Sequence, residues 1–445
     1  KQKNIIPVTM IDVAVDKKTG VITFMNDGSG IDIAMHPEHK IWIPEMIFGH
    51  LMTSTNYKKS EKKIVGGKNG FGVKLIFIYS KWAKIETVDH IRKKKYVQEF
   101  KNNLDILEKP KITKATTAKP YVKISFLPDY ERFGSDGITD DMFNLFKKRT
   151  FDIAAVTDKS VKVRFNHQMV PVRSLEQYIN LHIGEKSETQ RVFETASARW
   201  EYAVCLSPVD EFTQVSFVNG VYTGKGGKHV EYILNQLVRK IIAFIEKKKK
   251  IKVKATTIKE QLMLFVNCVV ENPSFDSQTK DYMNTPTAKF GSRCEISSKF
   301  IDKVIKMGVM ETAISLTEIK DQKAAKKTDG RKSKSIRNIP KLIDANWAGG
   351  TKSPLCTLIL CEGDSAKAGI VSGLSKEDRN CFGVFPLKGK LMNTKDMLQS
   401  RVNDNAEIAN IKKIVGLETN KSYDSESAKK FLRYGHVLFM TDQDL

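Results

Sequence analysis

Residues 66–74 read GGKNGFGVK, four glycines in nine positions with two lysines and one asparagine among them. Glycine at this density builds no core. It lets the backbone come close to something else, and the N–H groups it exposes suit a phosphate. Two familiar phosphate loops fail on spacing. A P-loop needs G-x-x-x-x-G-K-S/T; counted from Gly67, Gly72 falls in place but Val73 stands where the lysine belongs. A dinucleotide turn needs G-x-G-x-x-G, and after Gly70 and Gly72 the third position holds Leu75. The loop has to be read with its neighbours, beginning with FGVKLIFIYSKWA at 71–83, whose length and apolar content predict a buried helix.

Upstream, TMIDVAV (9–15) and VITFM (21–25) alternate in the strand manner around DKKTG, which predicts a β-hairpin closed by NDGSG at 26–30. PEMIFGHLM, around 45–52, carries a helical pattern and leads into the polar TSTNYKKSEKK. Strands are predicted at YVKISFLP (121–128) and VKVRFN (161–166), with a helix near 140–156 between them. One sheet with helices packed on it is the expected first domain. After a polar stretch at 184–190, WEYAVCL and TQVSFVNGV read as strands and HVEYILNQLVRKIIAFIEKKKK (229–250) as a helix ending in lysines. LMLFVNCVV (262–270) reads as a buried strand that runs into ENPSFDSQTKD. From 321 to 353 the composition turns polar and basic, a connecting segment with some helical content, and a third unit opens at 355 with LCTLILC.

A chain of 445 residues is too long for one core, and about three domains are expected. Its 74 basic side chains against 51 acidic ones leave +23, which predicts a polyanionic partner such as nucleic acid. The alternative is a protein that is merely basic. Clustering favours the partner: Lys247 to Lys250 with Lys252 and Lys254, and again Lys320 to Arg337. No run of about 18 apolar residues and no signal-type N-terminus occurs, so a soluble, intracellular chain with no membrane partner is expected. Six cysteines without a C-x-x-C pair read as reduced core thiols. With no initiator methionine and an end at TDQDL in mid-pattern, the chain is expected to be a piece of something larger.

Three constellations carry chemistry. In the first, NDGSG at a strand end gives Asn26 and two glycines that let backbone approach a flat ligand, although alone it is a turn. TSTN at 53–56 adds hydroxyls and an amide. GGKNGFGVK adds backbone N–H groups at a helix start, with Lys68 and Lys74 as point charges. The order of turn, hydroxyl loop and glycine lid points to a nucleotide. The second is SQTKD at 277–281, by itself a surface loop. In the third, LILCEGDSAKAG puts Glu362 at the end of an apolar strand with Gly363 and Ser365 opening a helix, and HVLFMTDQD puts Asp442 and Asp444 at the end of another. Two parallel strands ending together would place these acids around one divalent ion. For EGDSA alone, a helix N-cap by Asp364 or Ser365 serves as well.

The set N-D-G-x-G, T-S-T-N and G-G-K-N-G-F-G-V-K resembles the GHKL ATP-binding fold. IPEMIFGHLMTSTNY leading to GGKNGFGVKL resembles, more narrowly, the ATPase region of eukaryotic-type (type IIA) DNA topoisomerase II. The resemblance implies that Asn26 lies near the base or sugar, that Ser54, Thr55 and Asn56 line the triphosphate pocket, and that Gly67, Lys68, Asn69, Gly70, Phe71, Gly72, Val73 and Lys74 wrap the phosphates. SQTKD is similar to the family's QTK loop in its transducer domain, which implies that Gln278, Thr279 and Lys280 reach the ATP, with Gln278 and Lys280 on the γ-phosphate. Lys247, Lys248, Lys249 and Lys250 match its lysine-rich loop facing DNA, a solvated helix end being the alternative. FGSRCEIS (290–297) also resembles the transducer. EGDSA with TDQD resembles the Toprim domain, implying Glu362, Asp442 and Asp444 as magnesium ligands and Glu362 also as acid/base. PLKGKLMN (386–393) is similar to the family's P-L-R-G-K-x-L-N, with Lys388 where arginine is usual, and implies Lys390 and Asn393 on the DNA backbone.

The resemblance covers essentially the whole chain. The implied fold is α+β and α/β multidomain: a truncated GHKL ATPase sandwich over 1–188 that lacks its N-terminal helix, an S5-like transducer over 189–320, a linker over 321–354, and the N-terminal part of a Rossmann-like Toprim domain over 355–445. The implied activity is that of an ATP-dependent type II DNA topoisomerase, an isomerase passing one duplex through a transient double-strand break in another. ATP and Mg2+ are the implied cofactors; double-stranded DNA and a second copy in a homodimer are the partners. The implied location is the nucleus for a cellular protein and the viral factory or virion for one from a large DNA virus. Three of the family's pieces do not occur in these residues. They are the helix whose glutamate activates water and whose asparagine binds magnesium, the third Toprim acid, and the winged-helix domain with the cleaving tyrosine. This stretch alone is therefore expected neither to hydrolyse ATP efficiently nor to cut DNA. Two other classes compete: a GHKL clamp acting on proteins, which has no use for the third unit's acids, and a non-catalytic DNA-binding scaffold.

Overall fold

Alternating apolar residues in MIDVAV and ITFMND put Val13 and Val15 on one side of a hairpin, strands β1 (Met10–Val15) and β2 (Ile22–Asp27), with Val13 facing Phe24 in antiparallel register. The turn is tied by the Asp16 carboxylate, which accepts from Lys18 N at 2.8 Å and Thr19 Oγ1 at 2.7 Å. The computed structural model describes residues 5–51, 62–67, 70–209, 211–336, 339–395, 397 and 399–441. It divides into two units, Lys1–Met310 and Glu311–Leu445.

In the first unit, helix α1 (Ile43–Gly49) precedes the glycine loop and α2 (Gly72–Ile78) follows it. The helix expected over 71–83 is therefore half the length. SKWAKIETVD belongs to strand β3 (Ser80–Asp89), because its period-two pattern buries Ala83 and Ile85 between two neighbours, β4 (Lys94–Lys101) and β7 (Tyr121–Pro128). Nor is α2 buried throughout: Lys74 and Phe77 face inward, while Leu75 and Ile76 are exposed. Short strands β5 (Ile106–Leu107) and β6 (Lys111–Lys114) both pair with β4. Helix α3 (Asp140–Val156) starts where the Thr139 side chain accepts from Met142 N and two aspartates occupy the first turn. Strand β8 (Lys162–Phe165) then runs parallel to β1, and β9 (Gln168–Met169) closes the nine-stranded sheet.

Helix α4 (Leu175–Ile183), capped by Ser174, leads to a second sheet. Its strands are β10 (Arg191–Ser197), β11 (Trp200–Leu206), β12 (Thr213–Val218), β13 (Val221–Tyr222) and, beyond β14 (Gly226–Gly227) and helix α5 (Lys228–Lys249), β15 (Leu262–Cys268), in the order β10-β11-β15-β12-β13. A short helix α6 (Ala255–Lys259) precedes β15. α4 bridges the sheets: Tyr178 meets Phe217 edge-on at 5.8 Å, and one core runs from Val13 and Phe100 to Phe217 and Phe265. Strand β16 (Tyr282–Met283) pairs with β14, and α7 (Ser298–Val304) runs on into a π-helical segment, Ile305–Val309, at the end of the unit. All six cysteines are free, and burial pushes Cys205 up to about 11.

The second unit begins with α8 (Met310–Lys327) and centres on parallel strands β17 (Thr357–Glu362), β18 (Phe382–Leu387) and β19 (His436–Met440), with β17 in the middle. Helix α9 (Gly363–Gly373) lays Ala366, Ile370 and Val371 against Ile359, Cys361 and Val384. The polar stretch ahead of β17 lies against this sheet rather than apart from it. Ala345 and Ala348 are buried with Leu358 and Leu360, and the fully buried Arg433 donates to Ser333 O at 2.7 Å and Ile414 O at 2.9 Å while pairing with Asp344. Among the described residues no helix is long and apolar enough to cross a membrane.

Candidate functional site

Two segments two hundred residues apart line one cavity of about 500 Å³. The glycine loop gives Gly66, Gly67, Gly70, Phe71 and Gly72; the turn after β15 gives Pro273 to Gln278 and Lys280. Of the residues the sequence nominates, Gly67, Gly70, Phe71, Gly72, Gln278 and Lys280 come together here. Asn26, Val73, Lys74 and Thr279 are not among the lining residues. Ser54, Thr55, Asn56, Lys68, Asn69, Asp442 and Asp444 lie outside the described residues.

The glycines themselves distinguish a ligand cradle from a folding constraint. A Cβ built at Gly67 or Gly72 meets no atom of the described residues within 4 Å, so nothing in their packing requires glycine there. Gly30 of NDGSG is the opposite case. Its φ is +74° and a Cβ would stand 2.0 Å from Val88 O, so that glycine serves the approach of two backbone segments. The neighbouring contacts agree: Ile31 N donates to Thr87 Oγ1 at 3.0 Å and Ile33 N to Asp89 Oδ2 at 3.0 Å. Asn26 sits in β2 with its amide donating to Asp27 O at 2.7 Å. Burial works against ionisation of the Asp27 carboxyl, but hydrogen bonds from Thr9 and Met10 outweigh it and hold the group below its usual range.

Lys74 is 3% exposed and makes no ion pair among the described residues, and burial holds its ammonium below the usual lysine range. A buried cation without a counter-charge is costly. No carboxylate among the described residues offsets it, and separately the faces of Gly67 and Gly72 are open toward the cavity. The residues present fit a phosphate-bearing nucleotide.

The opposite wall is braced. Lys280 occupies left-handed backbone at φ +60°, its N–H donating to Ser277 O at 3.2 Å. Asp276 N donates to Tyr282 O at 3.2 Å and Ser274 N to Thr285 Oγ1 at 2.7 Å, which ties the turn to β16 and through it to β14. Gln278 and Thr279 are exposed at the tip.

A tether that sequence reasoning missed joins the glycine loop to the second sheet. Lys63 N donates to Asn272 Oδ1 at 3.2 Å and Asn272 N to Lys63 O at 2.7 Å; the Asn219 amide reaches Val65 O at 3.4 Å. Lys62 lies 3.4 Å from Glu271, whose carboxyl Arg199 holds below its usual range, with Lys62 adding to the effect. The sequence signal is slight: one asparagine directly after β12 and another four residues beyond β15, both at positive φ. Asn272→Gly keeps that backbone and removes the side chain. It is expected to cost the arm about 1–2 kcal/mol and to speed amide exchange over 62–67 by roughly 5- to 30-fold, with β17 as internal control. Unchanged exchange would mean that the asparagine does not hold the arm.

In the second unit, Glu362 ends β17 opposite Leu387 of β18, and Cys361 faces Met440 of β19. Three parallel strands thus finish at one end, which receives the exposed Glu362, the 388–393 turn and Thr441. Neither Asp364 nor Ser365 caps α9: both lie inside it, Glu362 is the N-cap residue without a side-chain cap, and Asp364 pairs with Lys341. Lys388 N donates to Glu407 Oε1 at 2.6 Å and Lys395 N to Asn393 Oδ1 at 3.0 Å; Lys390 is exposed. Lys247 to Lys249 form the exposed last turn of α5 and Lys250 its left-handed C-cap.

Residues 168–336 match the family model described as DNA gyrase B. DNA topoisomerase 2 of Acanthamoeba polyphaga mimivirus is 45% identical over 440 residues, 98% of this chain and 34% of its own length. The probable DNA topoisomerase 2 of Dictyostelium discoideum is 46% identical over 442 residues, 98% of this chain and 29% of its own. The chain thus spans about a third of the length of these curated relatives. The crystal structure of the ATPase region of Saccharomyces cerevisiae topoisomerase II superposes at a TM-score of 0.66 with 38% identity, over 70% of this chain and 80% of that one. The ATPase and transducer domains of DNA topoisomerase II from Balamuthia mandrillaris give 0.67 with 37% identity, over 71% and 81%.

Proposed function

The chain belongs to the type II DNA topoisomerase family, its first unit built on the mixed α/β fold of that family's ATPase region, and from that premise we propose that it is the nucleotide-responding part of an ATP-dependent enzyme that passes one DNA duplex through a transient break in another. One observation carries the reading: the glycine loop and the Gln278–Lys280 turn, from separate sheets, line a single cavity. A nucleotide held there has its phosphates among Gly67, Gly70 and Gly72, with Lys68, Asn69 and the hydroxyl loop of Ser54, Thr55 and Asn56 completing the cradle. Gln278 and Lys280 sense the terminal phosphate and Asn26 lies toward the base or sugar. ATP supplies the phosphates whose presence or loss the two sheets register; the protein's part is to orient them and tie their arrival to the second sheet through the tether.

Magnesium is the second proposed cofactor, held at the strand ends by Glu362, Asp442 and Asp444, where it would favour phosphodiester transfer in the duplex, with Glu362 placed to move a proton. Lys390 and Asn393 in the adjoining turn would touch the DNA backbone, and Lys247 to Lys250 would face the duplex elsewhere. The enzyme works as a homodimer in this reading. Its place is the nucleus if the genome is cellular and the viral factory or virion if it belongs to a large DNA virus.

Competition of ATP, ADP and AMP against a fluorescent ATP analogue on this chain tests the cavity. Affinity should fall as phosphates are removed; equal affinity for all three would defeat the phosphate cradle. At the second site, Glu362→Gln is expected to weaken Mn2+ binding, read by electron paramagnetic resonance, about tenfold or more, since even outer-shell partners of a metal are worth that much. Binding unaltered by Glu362→Gln and by the Asp442→Ala/Asp444→Ala pair would remove the metal from this end of the sheet.

A further inference from the structure

The nine-stranded sheet ends on one side in β5 and β6, both paired to β4. Between Lys109 and Lys123 the chain carries five lysines and no carboxylate, and RKKK precedes at 92–95. The antiparallel register sets Lys94 directly opposite Lys114, and Lys93 O accepts from Ala115 N at 2.8 Å, which brings a third lysine to the same corner. Like charges facing each other across strands destabilise a sheet. Several neighbouring cations on this sheet are matched. Lys84 and Lys95 pair with Glu86, which also feels the charge of Lys123; Lys101 pairs with Glu108 and Arg92 with Asp32. By contrast Lys93, Lys94, Lys109, Lys111, Lys114 and Lys119 are all exposed and make no ion pair among the described residues. Lysines on an edge strand guard against pairing with another chain. That accounts for Lys111 and Lys114 on β6, but not for four more lying off it.

We infer that this rim is an additional DNA-contact surface, distinct from Lys247 to Lys250, engaging the phosphates of a duplex without reading sequence. From Lys111 to Lys114 the strand covers roughly 10 Å, over which a duplex presents roughly six phosphates. Unmatched ammonium groups on a short rigid edge meet such a polyanion without first breaking ion pairs, and binding relieves the repulsion between Lys94 and Lys114. The inference rests on the reading that the protein acts on DNA.

The test is binding of a blunt duplex oligonucleotide as a function of salt, for the parent chain, for Lys93→Gln/Lys94→Gln/Lys111→Gln/Lys114→Gln, and for Lys247 to Lys250 replaced by alanine. The rim variant is expected to lose about 3–4 from the slope of log K against log[salt] and at least about tenfold in affinity near 0.1 M salt. An unchanged slope overturns the inference, and a rise in self-association beside it would assign the lysines to guarding the edge. Lys114→Glu guards against a folding artefact. Opposing Lys94 with a carboxylate should raise the thermal midpoint while lowering DNA affinity; a higher midpoint with parental affinity also overturns it. A parent chain without salt-dependent binding would take down the DNA reading as well. If the parent binds and only the Lys247 to Lys250 variant responds, the rim alone fails.

Discussion

Replacing Lys280 by alanine in the full-length protein is expected to lower ATP turnover by roughly 10- to 100-fold, the equivalent of about 1.5–3 kcal/mol for one charge-assisted hydrogen bond to a phosphate. The turn is held by bonds that do not involve this side chain. Its backbone bonds to Ser277, Tyr282 and Thr285 survive the substitution, and alanine tolerates φ +60° no worse than lysine does. What disappears is a cation on the wall facing Gly67 and Gly72. The loss should fall on ATP analogues and spare ADP, since the proposed contact is with the terminal phosphate. Gln278→Ala removes a neutral donor and should cost less, about 2- to 10-fold. DNA cleavage without nucleotide should stay at the parental rate, because its proposed acids belong to the other compact unit. Parental turnover, or equal weakening of ATP and ADP, would detach Lys280 from the γ-phosphate.

The two walls of this cavity were legible in sequence for different reasons. GGKNGFGVK declares itself locally, because glycine at such density has few uses. SQTKD declares nothing locally and gains meaning only through a family resemblance; no pattern along the chain says that residues 70 and 278 are neighbours. The tether was illegible for a third reason. An asparagine in a turn is common, and whether its side chain serves its own turn or, as with Asn272, clasps residue 63 depends on the tertiary approach. Strand β3 was lost to the apolar run before it, since IFIY fits a helix end and a strand start equally well until Lys84 and Glu86 are seen to alternate with Ala83, Ile85 and Thr87. The stretch around 329–348 looked unanchored because its few apolar residues are scattered. Its anchor is Arg433, almost a hundred residues on, whose guanidinium binds Ser333 O and pairs with Asp344. Long-range closure by one buried cation leaves no periodic trace.

NDGSG poses the sharpest case, because its glycines invite a ligand reading that the backbone answers otherwise, and a pair of substitutions separates the two. Gly30→Ala is expected to destabilise the first unit by about 3 kcal/mol or more and to lower its melting point by roughly 5–10 °C. The new Cβ would sit 2.0 Å from Val88 O with φ at +74°, and neither side can yield cheaply. Val88 belongs to β3, which is paired on both edges, and the glycine's own segment is pinned by Ile31 N on Thr87, Ile33 N on Asp89 and His90 N on Ser29 O at 3.2 Å. Gly72→Ala should do the reverse. It lies at the start of α2 with no atom of the described residues within reach of a Cβ, so alanine should leave the melt unchanged or raise it slightly. Nucleotide binding should nonetheless fall, because the methyl group takes the space left for a phosphate. A chain in which Gly30→Ala melts like the parent would show that β3 moves aside at little cost. One in which Gly72→Ala binds nucleotide like the parent would show that the phosphates take another path past the loop.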